Sequence, residues 1–167
     1  KFTLINNCIK NNQMFNIVLY EPEIPPNTGN IIRLCFNSNC KLHLIKPLGF
    51  ELSEKTLRRA GLDYIKDDLF VTYENYSDFL SKNQNINIFG ISTKGRNYYH
   101  SVSFKPDDFF MFGPETRGLP GLIRNQLEPN HLLRVPMAKN SRSINLANTV
   151  SIILFEAWRQ NNFSGGL

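Results

Sequence analysis

The sequence predicts an α/β protein in which a parallel β-sheet is flanked by helices. Strand-like segments alternate with helix-like segments along the chain, as expected when crossover helices connect parallel strands. The strand-like segments are continuous apolar runs, which is typical of strands buried on both faces of a sheet. The chain has 167 residues, of which 41% are hydrophobic, so it is long enough for one domain with a substantial core.

The single domain is expected to occupy residues 14–160. Residues 1–13 show no hydrophobic period and no long apolar run, so we interpret them as a disordered leader or extension and not as a secretory signal. Residues 161–167 are expected to form a tail. No apolar run approaches the ~20 residues that a membrane-spanning helix requires, so a membrane protein is not expected.

A helix is predicted from about Thr28 to Asn37, after a buried strand at 15–21 and a turn formed by a double proline and the sequence Asn-Thr-Gly. Apolar side chains spread over most of its circumference, which is unusual for a surface helix of a monomer. The polar exceptions include Asn30 and Arg33, whose spacing places them on one narrow stripe. An arginine in the single polar stripe of an otherwise apolar helix indicates a role other than packing.

The other predicted elements continue the alternation. Ser53 and Gly61 are typical of the start and the end of a helix at 53–61, and Ser143 is a natural N-cap for a long closing helix at 143–160. Further strands are predicted at 41–47, 87–93, 107–113 and 131–137, a short strand or irregular edge at 64–73, and a helix within 76–83.

Three loops are candidates for a ligand site, because ligands bind beyond the carboxyl ends of strands in open parallel sheets. These loops are 92–95, 113–120 and 136–143, and their glycine, proline and small polar residues let backbone groups face a ligand. The second loop lacks the glycine fingerprint of dinucleotide-binding folds, which disfavours a dehydrogenase. Taken alone, its glycines could serve only as turn residues, with Glu115 and Arg117 simply solvated.

Charge and cysteine content add a weaker indication. The net charge is +5, and the leader contributes two lysines and no acid, which leaves +3 for the rest of the chain. A mildly basic domain is compatible with an anionic partner such as RNA. Three scattered cysteines and three isolated histidines form neither a disulfide framework nor a pattern with zinc spacing, so a reducing cytoplasmic compartment and no metal are expected.

Three stretches of the sequence together resemble one enzyme family. NTGNIIR at 27–33, FGPETRGLP at 112–120 and PMAKNSRSINLANTVSIILFEAW at 136–158 resemble the ordered motifs of the SPOUT RNA methyltransferases. The opening FNIVLYEPEIPPNTGNIIRLC at 15–35 and LRRAGLDY at 57–64 resemble one subfamily, the small tRNA (cytidine/uridine) 2′-O-methyltransferases acting on the wobble nucleotide of the anticodon. The resemblance covers nearly the whole chain apart from the leader.

The resemblance implies a fold, a cofactor and a reaction. The three loops would form a C-terminal deep trefoil knot that holds S-adenosyl-L-methionine mostly through backbone groups. The methyl group would pass to the 2′-hydroxyl of the wobble cytidine or uridine of a tRNA, with S-adenosyl-L-homocysteine as the product. Carried over to the matching positions, the cofactor-binding residues are Ile91, Gly113, Gly118, Val135, Met137 and Ser143.

The resemblance also implies roles for polar residues. Arg33 is expected to be catalytic, and Asn30 and Arg142 are expected to contact the RNA at the anticodon stem-loop, with Lys94 and Arg117 as further candidates for contact with the RNA backbone. An arginine is effectively always protonated, so stabilising the developing alkoxide or fixing the adjacent phosphate is a more conservative role for Arg33 than removing a proton. Members of the subfamily are homodimers; the helix after Thr28 and the closing helix would form the interface, and Arg33 would serve the cofactor pocket of the other subunit.

Two alternatives stay open. A non-catalytic RNA-binding protein on the same fold would keep the basic loops but not the capture of a cofactor. A 2′-O-methyltransferase of the same superfamily could also act on another tRNA or rRNA site.

Overall fold

The computed structural model of the protein describes residues 14–52 and 70–167. The predicted leader at 1–13, the predicted helix at 53–61 and the stretch at 57–64 lie outside the described residues. Within the described ranges, no helix is both long enough and apolar enough to cross a membrane.

Parallel strands form a sheet in the order β3-β2-β1-β6-β4-β7-β5. Every pairing in it is parallel, which confirms the prediction made from the continuous apolar runs. The strands are β1 (Asn16–Tyr20), β2 (Lys41–Ile45), β3 (Phe70–Tyr73), β4 (Ile88–Ile91), β5 (Asn97–Tyr98), β6 (Phe109–Phe112) and β7 (Leu132–Arg134). The described helices are α1 (Pro25–Asn37), α2 (Tyr76–Lys82), α3 (Gly121–Arg124) and α4 (Leu146–Gln160), with a 3-10 turn at Tyr99–Ser101.

The sheet separates two apolar cores, and β1 shows how. Ile17 and Leu19 point to the face covered by α1 and α4, where they join Ile31 and Val150 in the larger core. Val18, between them in sequence, points to the opposite face and its smaller core. Alternate side chains of a strand point to opposite faces, so helices on both sides are needed to bury this uninterrupted apolar strand.

Helix α1 begins earlier than predicted. It starts at Pro25, so the double proline occupies the first turn and the Asn-Thr-Gly sequence is buried helix and not a turn. Proline suits the first helical turn because it has no N–H group left without a partner there, and its fixed φ is already helical. The residues from Ile31 to Cys35 are mostly buried as expected, while Phe36 is 46% exposed.

The closing helix begins later than predicted, and the N-cap is not Ser143. Asn145 takes that position: its side-chain oxygen accepts a hydrogen bond from the backbone N–H of Asn148 at 3.3 Å, and α4 starts at Leu146. Asparagine and serine are similarly favoured N-caps, so the sequence alone did not distinguish them. Ser143 consequently lies in the loop before α4. The two-residue strand β5 and the four-residue helix α3 were not predicted because they are too short to show a period.

A series of buried hydrogen bonds centred on His43 lies beside the smaller core. The Tyr73 hydroxyl donates to Nδ1 of His43 at 2.8 Å, and Nε2 donates to the side-chain oxygen of Asn16 at 3.1 Å. This tautomer follows because Asn16 uses its own amide nitrogen to donate to the carbonyl of Asp107 at 3.1 Å. Burial, reinforced by the charge of Lys41, lowers the pKa of His43 to about 3. The ring is therefore neutral in the folded protein at neutral pH.

His43 is expected to make the free energy of unfolding fall in acid. The folded pKa lies below the unfolded value near 6.5, so the stabilising effect of a neutral His43 is complete above about pH 6.5 and is lost as the pH falls towards 3. Each pH unit in that window is expected to reduce the free energy of unfolding by up to ~1.4 kcal/mol. Urea unfolding at several pH values measures this slope. A His43→Gln protein, which keeps a hydrogen-bonding side chain without titrating there, should show a smaller slope; an equal slope would contradict the prediction.

Candidate active site at the carboxyl ends of three strands

A cleft of about 480 Å³ lies where three neighbouring strands end. The loops that follow β4, β6 and β7 form its walls, and these strands are adjacent in the sheet order β6-β4-β7. The first turn of α1 contributes Ile24 and Asn27 to the rim. This is the position expected for ligands in parallel sheets, and the volume falls in the ordinary range of ligand pockets. We call it the strand-end cleft.

All six residues predicted to bind a cofactor line the strand-end cleft. They come from three separate loops, and only the fold brings them together: Ile91, Gly113, Gly118, Val135, Met137 and Ser143. Arg142, predicted to contact RNA, lines it as well.

Two of these glycines have structural reasons to be glycine. A Cβ atom at Gly113 would overlap the backbone nitrogen of Leu119 and the carbonyl carbon of Gly118, because the loop folds back directly over Gly113. Gly118 has φ of +65°, a left-handed conformation that other residues rarely adopt. The loop is therefore held close against the strand end, with its backbone exposed to the cleft.

The cleft combines apolar and polar walls. The apolar part of the lining comes from Ile91, Phe112, Leu119 and Val135, and residues with hydroxyl groups line the rest: Ser92, Thr93, Thr116, Ser143 and Thr149. Such a lining suits a ligand that carries both a flat heterocycle and a polar or charged end. Among the residues that the structure describes, no group of three or more His, Cys, Asp or Glu side chains could hold a metal ion.

Glu115 joins the second loop to the start of α1. Its carboxylate accepts hydrogen bonds from the backbone N–H groups of Glu23 at 2.8 Å and Ile24 at 3.3 Å, and from the side-chain amide of Asn27 at 3.0 Å. Asn27 in turn accepts a hydrogen bond from the side chain of Asn145 at 2.9 Å. One chain of polar contacts therefore connects the second loop, α1 and the N-cap of α4. A carboxylate at a helix N-terminus also interacts favourably with the helix dipole.

Glu23, just before α1, also joins this segment to the second loop, this time with the carboxylate on the α1 side. Its carboxylate accepts from the hydroxyl of Thr116 at 2.6 Å and from Nε of Arg117 at 3.1 Å, while Arg117 also pairs with Glu21 at 3.0 Å. The hydrogen bonds from Thr116, more than the nearby Arg117 charge, lower the pKa of Glu23. Glu115 and Arg117 therefore each hold the second loop to the start of α1 or the segment before it, and neither is merely solvated. Arg117 is already paired with two carboxylates, which leaves it less available to RNA.

Asn30 and Arg33 do not line the strand-end cleft of their own chain. Both are exposed on α1, and no hydrogen bond or ion pair joins Arg33 to another of the described residues. Asn27 of the same helix does line the cleft, and Arg33 lies six residues further along, about 9 Å along the helix axis. The structure of one chain therefore brings the predicted cofactor residues together but leaves the predicted catalytic arginine outside them.

Sequence reasoning missed the linking residues Glu115, Asn27, Asn145 and Glu23. A signal for Glu115 was present only indirectly: the N–H groups of Glu23 and Ile24, just before the two prolines, need an acceptor, and α1 has no acidic residue in its first turn. The partner could not be identified, because it lies about ninety positions away in the sequence and only the sheet order brings it near.

Replacing Glu115 with alanine is expected to destabilise the protein by about 1–2 kcal/mol, because backbone N–H groups at the start of α1 lose their acceptor. The corresponding fall in melting temperature is about 2–8 °C. A Glu74→Ala protein serves as a control, because within residues 14–52 and 70–167 the Glu74 side chain forms only an exposed pair with Lys46, worth less than about 1 kcal/mol. Equal melting temperatures for the two variants would contradict a structural role of Glu115.

The parallel sheet and the strand-end cleft define an α/β protein of the class that binds small ligands at strand ends. The chain belongs to the SpoU rRNA Methylase family, which it matches over residues 14–155. This match confirms the family that the three sequence motifs predicted.

Individual relatives are similar over almost the whole chain. The chain is 54% identical over 152 residues to the tRNA (cytidine(34)-2′-O)-methyltransferase of Saccharophagus degradans, covering 91% of this chain and 99% of that protein. It resembles a solved structure that concerns the 2-OH methylation of C/U34 on tRNA, with a TM-score of 0.82 and 37% identity over 91% of this chain and 99% of that one. The AdoMet-bound rRNA methyltransferase of Sinorhizobium meliloti shares the fold, with a TM-score of 0.76 and 24% identity over 89% of this chain and 57% of that one.

Proposed function

We propose that the protein methylates the ribose 2′-hydroxyl of the wobble cytidine or uridine of tRNA, with S-adenosyl-L-methionine as the methyl donor. The observation that carries the proposal is the strand-end cleft, whose lining unites all six residues expected to bind the cofactor. The similar relatives named tRNA (cytidine(34)-2′-O)-methyltransferase support this choice of substrate, since they match nearly full length. Activity on tRNA also implies a cytoplasmic location.

The cleft residues fit the cofactor by their chemistry. Ile91 and Val135, at the ends of β4 and β7, offer apolar surface and backbone groups to an adenine ring, and Gly113 lets the loop at Gly118 and Leu119 pack directly over the strand end beside it. Met137, Ser143 and the backbone around Gly118 would enclose the remainder of the molecule. Bound there, S-adenosyl-L-methionine would supply a methyl group that is already activated by its sulfonium charge.

The residues of the protein would then orient the ribose and stabilise charge. Arg33 would hold the developing alkoxide or the adjacent phosphate, and Asn30, one turn earlier on α1, would orient Arg33 or the ribose. Arg142, at the cleft rim, would contact the RNA backbone. The deep trefoil knot around the cleft follows as an expectation from membership of the family.

A homodimer would bring Arg33 to a cleft. The large side chains of Phe36 on α1 and Phe155 on α4 are 46% and 48% exposed, and the two helices pack side by side on one face of the sheet. Exposed aromatic side chains on two adjacent helices favour an interface with a second copy. Arg33 lies on α1 and would then enter the strand-end cleft of the partner subunit.

Nucleoside mapping by mass spectrometry tests the reaction. A tRNA pool incubated with the protein and S-adenosyl-L-methionine is expected to gain a 2′-O-methyl group at position 34. A 2′-O-methyl group at a different tRNA or rRNA position would favour another target site on the same fold. Titration calorimetry separates the remaining alternative, because a non-catalytic RNA-binding protein would bind RNA without binding S-adenosyl-L-methionine or its demethylated product.

A further inference from the structure

A second group of basic and aromatic side chains lies at the edge of the sheet, outside the cofactor and catalytic residues. Exposed side chains occur at every second position along this segment: Lys94, Arg96, Tyr98 and His100. Arg134 of β7 lies beside Tyr98 of β5, because the two residues are partners in the pairing of these strands. We call these five residues the edge patch. None of them except Lys94 lines the strand-end cleft.

Tyr98 is the centre of the edge patch. The guanidinium carbon of Arg134 lies 4.6 Å from the centroid of the Tyr98 ring, and the same group donates a hydrogen bond to the tyrosine hydroxyl at 2.9 Å. The His100 ring lies nearly parallel to Tyr98, with an interplanar angle of 8° and centroids 5.6 Å apart. Tyr98 is still 39% exposed, so the stack ends at the surface and not in the core. Parallel flat groups that end at a surface are a platform on which another flat group can stack.

The charge of the edge patch is not neutralised. No ion pair joins Lys94, Arg96 or Arg134 to a carboxylate among residues 14–52 and 70–167, and Nε of Arg134 is buried without a hydrogen-bond partner. The nearby carboxylate of Glu156 is held by Arg159 at 2.9 Å. The cations around Tyr98 therefore remain available to an anionic partner.

The edge patch is continuous with the strand-end cleft. Lys94 belongs to the loop that walls the cleft, and Arg134 directly precedes the cleft residue Val135. The backbone of Gly95 packs so closely on β7 that a Cβ atom there would lie 2.5 Å from the carbonyl carbon of Leu133. The loop that carries Lys94 is thereby held against the strand that carries Arg134. An RNA with a nucleotide in the cleft can extend along this edge of the sheet.

We propose that the edge patch binds an unpaired nucleotide of the RNA next to the one that is methylated. The base stacks on the Tyr98 and His100 rings, and Arg96 and Lys94 contact the flanking phosphates. Isolated aromatic–cation pairs also occur on surfaces as simple packing, but the alternating exposure and unpaired charges favour single-stranded RNA. This inference rests on the proposed activity on RNA, and it adds a binding site that the methyl transfer itself does not require.

Fluorescence anisotropy with a labelled tRNA anticodon stem-loop tests the edge patch. Tyr98→Leu is expected to raise the Kd about 5- to 20-fold, because base stacking on an aromatic ring is lost. Tyr98→Phe, which keeps the ring, should stay within about twofold of the unaltered protein. Arg96→Gln should reduce the slope of log Kd against log salt by roughly 1. Lys82→Gln is the matched control, since Lys82 lies on α2, pairs with Asp78 and should not alter RNA binding.

The stacking mechanism predicts a specific preference as well. The unaltered protein should bind the stem-loop more tightly than a fully paired RNA duplex of equal length, and Tyr98→Leu should reduce this preference. An unchanged Kd and preference for Tyr98→Leu would overturn the inference, and so would an equal loss for Tyr98→Phe. Nucleoside mapping of the unaltered protein is the separate readout: if the protein binds RNA through Tyr98 but adds no methyl group, the proposed reaction fails and the edge patch stands.

Discussion

An Arg33→Ala protein is expected to transfer methyl groups about 100- to 1000-fold more slowly than the unaltered protein, while binding S-adenosyl-L-methionine equally well. Arg33 is exposed and outside the lining of the cleft in its own chain, so its removal should disturb neither the fold nor the cofactor residues. The loss reflects a missing positive charge at the alkoxide or the adjacent phosphate. Single-turnover methylation of tRNA and titration calorimetry with the cofactor measure the two effects. Lys82→Ala, an exposed cation on α2, is the control and should retain full activity.

Mixed dimers test whether Arg33 acts in the partner's cleft. In the proposed homodimer, coexpression of Arg33→Ala and Gly113→Ala chains gives mixed dimers in which one subunit has an intact cleft and the other subunit has an intact Arg33. At an S-adenosyl-L-methionine concentration too low to saturate Gly113→Ala, random pairing should restore about a quarter of the activity if each cleft uses the arginine of the other subunit, which is well above the activity of either variant alone. If each cleft uses its own arginine, both sites of a mixed dimer stay impaired. One cleft lacks its arginine and the other binds the cofactor poorly, so pairing restores no activity. A monomeric active protein would exclude the arrangement altogether.

A Gly113→Ala protein is expected to lose at least about 10- to 100-fold in affinity for S-adenosyl-L-methionine. The added Cβ atom overlaps the backbone of Gly118 and Leu119, which must move, and overpacking of this kind costs roughly 1–3 kcal/mol. The movement displaces the loop that lines the strand-end cleft, where the cofactor is expected to bind. Titration calorimetry measures the affinity, and thermal unfolding shows whether the protein still folds.

Two other glycines in the same region provide matched comparisons. Gly121→Ala adds a Cβ atom whose nearest neighbour is the flexible end of Arg124 at 3.6 Å, so affinity and stability should stay close to the unaltered values. Gly118→Ala meets no atom within 4 Å but must adopt φ of +65°, at a cost of about 1–2 kcal/mol. Affinities that fall equally in all three variants, or in none, would contradict a close-packed loop at Gly113.

The sequence predicted the three loops that line the strand-end cleft, because the carboxyl ends of the strands in a parallel sheet lie on one edge. The resemblance to the family, and not the strand pattern, gave Ile91, Gly113 and Val135 as expected cofactor residues. The starts of α1 and α4 were each misplaced by three residues, because prolines and alternative N-caps are compatible with more than one boundary. The short strand β5, which carries Tyr98, gave no periodic signal, so only Lys94 of the edge patch was foreseen as an RNA contact.

The sequence by itself determined the alternation of buried strands and helices, the family, and the residue types at the three strand ends, since these depend on local patterns and ordered motifs. Only the tertiary structure decided that Glu115 holds the start of α1, that Arg134 lies on Tyr98, and that Arg33 stands outside its own cleft. These contacts join positions that are distant in the chain. The order of strands in the sheet brings them together, and no local sequence pattern records that order.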